Sequence, residues 1–154
     1  MRDLLAEIEK DIQELSSQTK GTLRLIASTE PMPGPALYQE VIRNFISIHE
    51  AWLGHRQRLG QALPLIAHRE PHLAVFLDDL DEEGVSIEQQ LAARSSAGWP
   101  RRPEIGVTSI RLRGRETLTA LLRQIESERT TVVPLLRRAL TRIPASSDRE
   151  LASA

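Results

Sequence analysis

Four histidines and no cysteine bound the chemistry open to this chain. Without a thiol there is no disulfide, zinc–thiolate site, iron–sulfur cluster or cysteine nucleophile. His49 and His55 stand in the stretch HEAWLGH, which has the outline of a helical zinc-protease motif but not its spacing. Six residues set the two rings about 120° apart around a helix, whereas the motif needs an i, i+4 pair. His55 reads as the edge of an apolar stripe, and His68 and His72 as the flanks of a connector. Among the acids, Glu128 is the unusual one, because it falls on a face otherwise made of Leu118, Leu121, Ile125, Val132 and Leu136. A carboxyl among apolar neighbours is a candidate for proton transfer. The run Asp78 to Glu83 reads as a solvated acidic face, and the basic stretch Arg101 to Arg115 as a solvated loop and helix start. No Gly-rich phosphate loop, dinucleotide fingerprint or nucleophile elbow is present.

Positioning such groups falls to helices. Only five residues are aromatic (Tyr38, Phe45, Trp52, Phe76 and Trp99), and runs of β-branched residues are almost absent, which favours an all-α protein. From Arg2 to Ser28, Leu5, Ile8, Ile12 and Leu15 share one face. From Ala36 to Ala62, Val41, Phe45, Ile48, Trp52, His55 and Leu59 repeat at helical spacing, with Gly60 and Pro64 ending the segment and Pro64 to Pro71 forming a connector. From His72 to Ser96 the face is Leu73, Phe76, Leu77, Leu80, Ile87 and Leu91, and the period places Gly84 on it. A fourth segment runs to Ile143, with a kink expected at Pro134. Four amphipathic segments joined by short proline-containing loops predict an antiparallel up-down four-helix bundle. It would be one domain over 1–143 with a polar tail over 144–154. A net charge of −1 argues against a nucleic-acid partner. No apolar run reaches the roughly 20 residues of a membrane span, and the acidic N-terminus is not a signal peptide, so the expected location is the cytoplasm.

The order of these features resembles the hemerythrin-like (HHE) domain family, four-helix bundles that hold a di-iron centre with histidines and carboxylates from all four helices. The resemblance covers about residues 3–140. In EKDIQEL (Glu9 to Leu15) the aspartate of the first helix is present, with Ile12 in the place of a histidine. His49 matches the histidine of the second helix, but Leu53 stands four residues on. In the third helix Asp81, Glu82 and Glu83 lead into Gly84 rather than a histidine. In LLRQIESERTTVVPLLRRAL the fourth-helix pattern keeps Glu128 and Pro134, with Gln124 at the histidine position. Of six expected ligand positions, His49 and Glu128 alone keep ligand-type residues, and one histidine with one glutamate cannot hold two irons.

That resemblance implies a hemerythrin-like bundle without its metal. The vacated centre would be an apolar small-molecule pocket lined by Ile12, Trp52, Leu53, Gly84 and Gln124. His49 and Glu128 would act there as an acid–base or hydrogen-bonding pair, in a binder, a sensor or a cofactor-independent enzyme. Two other readings stand beside it. In one, a single iron is held by His49 and Glu128, with help from His55 or Glu50, for oxygen or oxidation chemistry. In the other, the bundle has a solid core and acts through its surface as a homodimer or partner-binding scaffold.

Overall fold

The computed structural model of the protein describes residues 2–28, 34–95 and 110–141. They form four helices, with no strand among them. Helix α1 spans Arg2–Ala27, α2 spans Gly34–Arg69 and α3 spans Ala74–Ser95. Helix α4 covers 110–141 as one continuous rod of mixed pitch: a π turn at Ile110–Gly114, an α-helix over Arg115–Ser127, a second π turn at Glu128–Val132, and α-helix again over 133–141. Helix α1 packs on α2 and α4, and α3 packs on α2 and α4, which closes a ring around one core.

Each helix exists because one stripe of its residues can be buried. On α1 the stripe is Ile8, Ile12, Leu15, Thr19, Thr22 and Ile26; on α3 it is Leu77, Leu80, Gly84, Ile87 and Leu91. The stripe of α2 is the longest, running from Leu37 to Ile66 in steps of three and four with Phe45, Ile48, Trp52 and His55 fully buried at its middle. Two threonines on these stripes satisfy their hydroxyls within their own helices: Thr22 donates to the Gln18 carbonyl at 2.9 Å and Thr117 to the Arg113 carbonyl at 3.1 Å.

Two expectations need correction, and a third takes a more specific form. Helix α2 does not stop near Pro64 but runs through it to Arg69. An interior proline costs about 3 kcal/mol, and complete burial of Ile66 two residues later, with Ala62 two residues before it, returns a comparable amount. The chain turns at Glu70, whose N–H reaches the Ile66 carbonyl at 2.8 Å, and Pro71 opens a single 3₁₀ turn before α3. Phe76 is not a core residue. It is 38% exposed, because the buried stripe starts at Leu77 and the preceding position lies about 100° away around the helix. At Pro134 the disruption takes the form of a π turn, in which the Val133 N–H bonds to the Glu128 carbonyl, so the ladder is already offset where the proline lacks its donor. The expected loop around Trp99, the basic residues before 110 and the tail over 144–154 lie outside the described residues.

Gly21 sits mid-helix in α1 on the exposed side, and a Cβ there meets nothing within 4 Å. Gly21→Ala is therefore expected to stabilise the protein by about 0.5–1 kcal/mol, read as a higher urea midpoint with an unchanged slope.

Candidate functional site

Helices α1, α2 and α4 bring three ionisable side chains to the middle of the core: Asp11, His55 and Glu128. His55 is fully buried at the centre of the α2 stripe. Its Nε2 lies 2.7 Å from Glu128 Oε2 and its Nδ1 lies 3.2 Å from Asp11 Oδ2. Both ring nitrogens thus face carboxylate oxygens. With both carboxyls ionised they can only accept, and the ring then donates from both nitrogens as an imidazolium. Arg58, one turn along α2, closes the network from the rim. Its Nε and Nη2 donate to the two oxygens of Asp11 at 2.6 and 2.7 Å, a bidentate pair. Glu128 is completed by Gln124, whose Nε2 donates to Glu128 Oε1 at 3.4 Å and to the Leu80 carbonyl of α3 at 3.1 Å. Two carboxylates are balanced by two cations, so the cluster is neutral as a whole.

Burial drives the His55 imidazolium toward neutrality, but hydrogen bonds to Asp11 and Glu128 and their negative charges outweigh it, and its pKa rises from 6.5 to about 9. For Asp11 burial pushes upward too, and is overcome by hydrogen bonds from His55 and Arg58 and by their charges, so its carboxyl titrates below the ordinary value. A ring with both nitrogens protonated and engaged has no lone pair to accept a proton or bind a metal near neutral pH. The two carboxylates lie on opposite edges of that ring. Accordingly, no three His, Asp or Glu side chains among the described residues converge on a point where an ion could sit.

Around this cluster the anticipated residues separate. Trp52, Gly84, Gln124 and Glu128 do come together, bordering one shared void. That void is only about 10 Å³, scarcely the space of a single water. The hollow anticipated at Gly84 is filled by Arg56. An added Cβ at Gly84 would stand 3.1 Å from Arg56 Nη1. The guanidinium lies across the glycine to reach Asp81 at 2.9 Å and Glu88 at 3.6 Å, on either side of it along α3. Trp52 Nε1 donates to the Gly84 carbonyl at 3.3 Å. Gly84 therefore lets an arginine and an indole close on the backbone of α3. Ile12 is buried as core packing. Leu53 is 38% exposed and outside the centre. His49 is half-buried near the end of α3, 3.2 Å from Ser95 Oγ; the histidine that meets Glu128 is His55.

Sequence reasoning missed Asp11, His55 and Arg58 as a unit. His55 was visible in the α2 stripe, in phase with Trp52 and Leu59. Asp11 adjoins the buried Ile12 on α1, and Arg58 lies one turn beyond His55. Only the packing of α1 against α2 brings the three together.

A second feature lies between α1 and α4. A groove of about 720 Å³ has a floor of Ile12, Ile125, Val133 and Pro134. Its walls include Gln13, Ser16 and Ser17 from α1, and its rim carries Lys20, Arg24, Arg129 and Arg137 with Glu9 and Glu126. Glu9 pairs with Arg137 across the groove, and Glu126 pairs with Arg129 on α4. Its volume lies within the range of small-molecule sites. The chain matches no known family model, no curated protein and no solved structure. No helix among the described residues is long and apolar enough to cross a membrane.

Proposed function

We propose that this chain is a metal-free, up-down four-helix bundle of the hemerythrin-like kind that binds a small molecule with a largely apolar body in the α1–α4 groove. The observation that carries the reading is that groove, about 720 Å³ over an apolar floor, beside a centre with room for about 10 Å³. The bundle centre supports the metal-free part. Two carboxylates that could serve a cation are instead neutralised by the His55 imidazolium and the Arg58 guanidinium, so protein charges take the role a bound ion would have. An antiparallel course of α1 and α4 is supported by their pairings: Glu9 meets Arg137, while Lys20, further along α1, acts on Glu126, further back on α4. The role is binding, because the buried acid and base are locked to each other and the groove offers no comparable pair.

Two measurements test this. A neutral fluorescent probe, N-phenyl-1-naphthylamine, is expected to bind with a blue-shifted emission, and Ser16→Trp, which fills the groove from a wall position, is expected to weaken binding at least tenfold. Equal binding by that variant would overturn the assignment of the groove. Reconstitution with excess ferrous iron followed by desalting is expected to leave less than about a tenth of an iron per chain; stoichiometric iron would return oxygen chemistry to the lead.

A further inference from the structure

We infer that the ligand of the α1–α4 groove is an anionic amphiphile: one carboxylate head held at the Lys20–Arg24 end and an aliphatic tail lying over Ile12, Val133 and Pro134. The inference rests on the binding role proposed above and adds to it the class of ligand.

The groove is polarised along its length. At one end the rim charges cancel, since Glu9 and Arg137 form an ion pair. Beyond that pair the floor is apolar, with Ile12 opposite Val133 and Pro134. At the other end stand Lys20, Arg24 and Arg129, against which only Glu126 is set, and Glu126 is already engaged by Arg129. Among the described residues, that end therefore carries two positive charges in excess. Lys20 and Arg24 are four residues apart on one face of α1, a like-charge spacing that works against a helix on its own. Neither forms an ion pair among the described residues. Two unpaired cations beside an apolar trough are complementary to a ligand that carries the missing negative charge and is otherwise greasy. The eight residues from Ile12 to Lys20 span about 12 Å of helix, the reach of an extended chain of about ten carbons.

The polar wall suits a single tail. Ser16, Ser17 and Gln13 line the α1 side between the two ends, so the trough is apolar on its floor alone. One alkyl chain can lie along that floor without turning apolar surface toward these hydroxyls and the amide.

The test uses the full chain with N-phenyl-1-naphthylamine bound and follows its displacement by decanoate, decanol and decyltrimethylammonium at low ionic strength. Decanoate is expected to bind at least tenfold more tightly than decanol, and decyltrimethylammonium more weakly than either. Raising the salt should narrow the gap between decanoate and decanol. Lys20→Gln combined with Arg24→Gln changes two exposed side chains and should bring decanoate to within about twofold of decanol, with decanol itself unchanged. Equal displacement by decanol and decanoate in the unaltered protein, or a preference for the cationic detergent, would overturn the anionic head. Failure of the neutral probe to bind at all would instead remove the groove as a binding site, so the two ideas fail by different results.

Discussion

Glu128→Ala is expected to be the most damaging single substitution in this protein, lowering the free energy of unfolding by about 3–5 kcal/mol. The alanine removes the closer acceptor of a fully buried imidazolium, 2.7 Å from His55 Nε2. It also leaves a void where a side chain had no solvent exposure. His55 must then either keep its charge against one carboxylate or lose the proton. Glu128→Gln should cost less, because it keeps the volume and one oxygen that can accept from His55. The double variant His55→Leu with Glu128→Leu should lose less than the sum of its parts, since removing both partners leaves no buried charge behind. Urea unfolding at pH 6 of the unaltered protein, Glu128→Ala, Glu128→Gln, the single variants His55→Leu and Glu128→Leu, and their double variant reads all of this. Additive losses would mean that the two side chains are not coupled, and the account of the centre would be wrong.

The second large effect is on the alkaline side. The folded-state pKa of His55 lies above its unfolded value, at about 9 against 6.5. Its contribution is therefore fully present below about pH 6.5 and is lost as pH rises through about 9. A shift of that size corresponds to about 3 kcal/mol. Asp11 acts in the opposite direction. Its folded pKa is depressed from 3.8 by His55 and Arg58, which overcome the effect of burial, so its contribution is present above that unfolded value and is lost as pH falls through the folded one. Together they predict a plateau of stability from about pH 4 to 6.5, followed by a decline to pH 9. Urea midpoints at half-unit intervals would trace it. The decline should vanish in His55→Gln. A curve flat from pH 6.5 to 9 in the unaltered protein would show that the ring is not held as a cation.

Much of the architecture follows from periodicity alone. The α2 stripe from Val41 to Leu59, the α3 positions Leu77, Leu80, Ile87 and Leu91, and Glu128 within the face of α4 are all buried where their spacing places them. The burial of Gly84 was legible in the same way, because a period of 3.6 identifies a position whatever residue occupies it. Helix ends were less legible, since a proline signals a break only through local sterics. The burial of Ile66 beyond Pro64 is a tertiary term, large enough to carry the helix on.

What the sequence by itself determined is the set of helices and the face each one buries, because both follow from local geometry and the aversion of apolar side chains to water. What only the tertiary structure decided is which polar groups meet. Asp11, His55 and Glu128 are 44 and 73 residues apart in the pairs they form, and no spacing rule links positions on different helices. From the sequence, His49 pairs with Glu128 and His55 stands at the edge of the stripe, yet a rotation of about 120° around α2 separates the His49 ring, which reaches Ser95, from the His55 ring, which is clasped by two carboxylates. The space beside Gly84 was decided in the same way: a long arginine from the neighbouring helix filled it, because two acids on α3 were there to receive its charge.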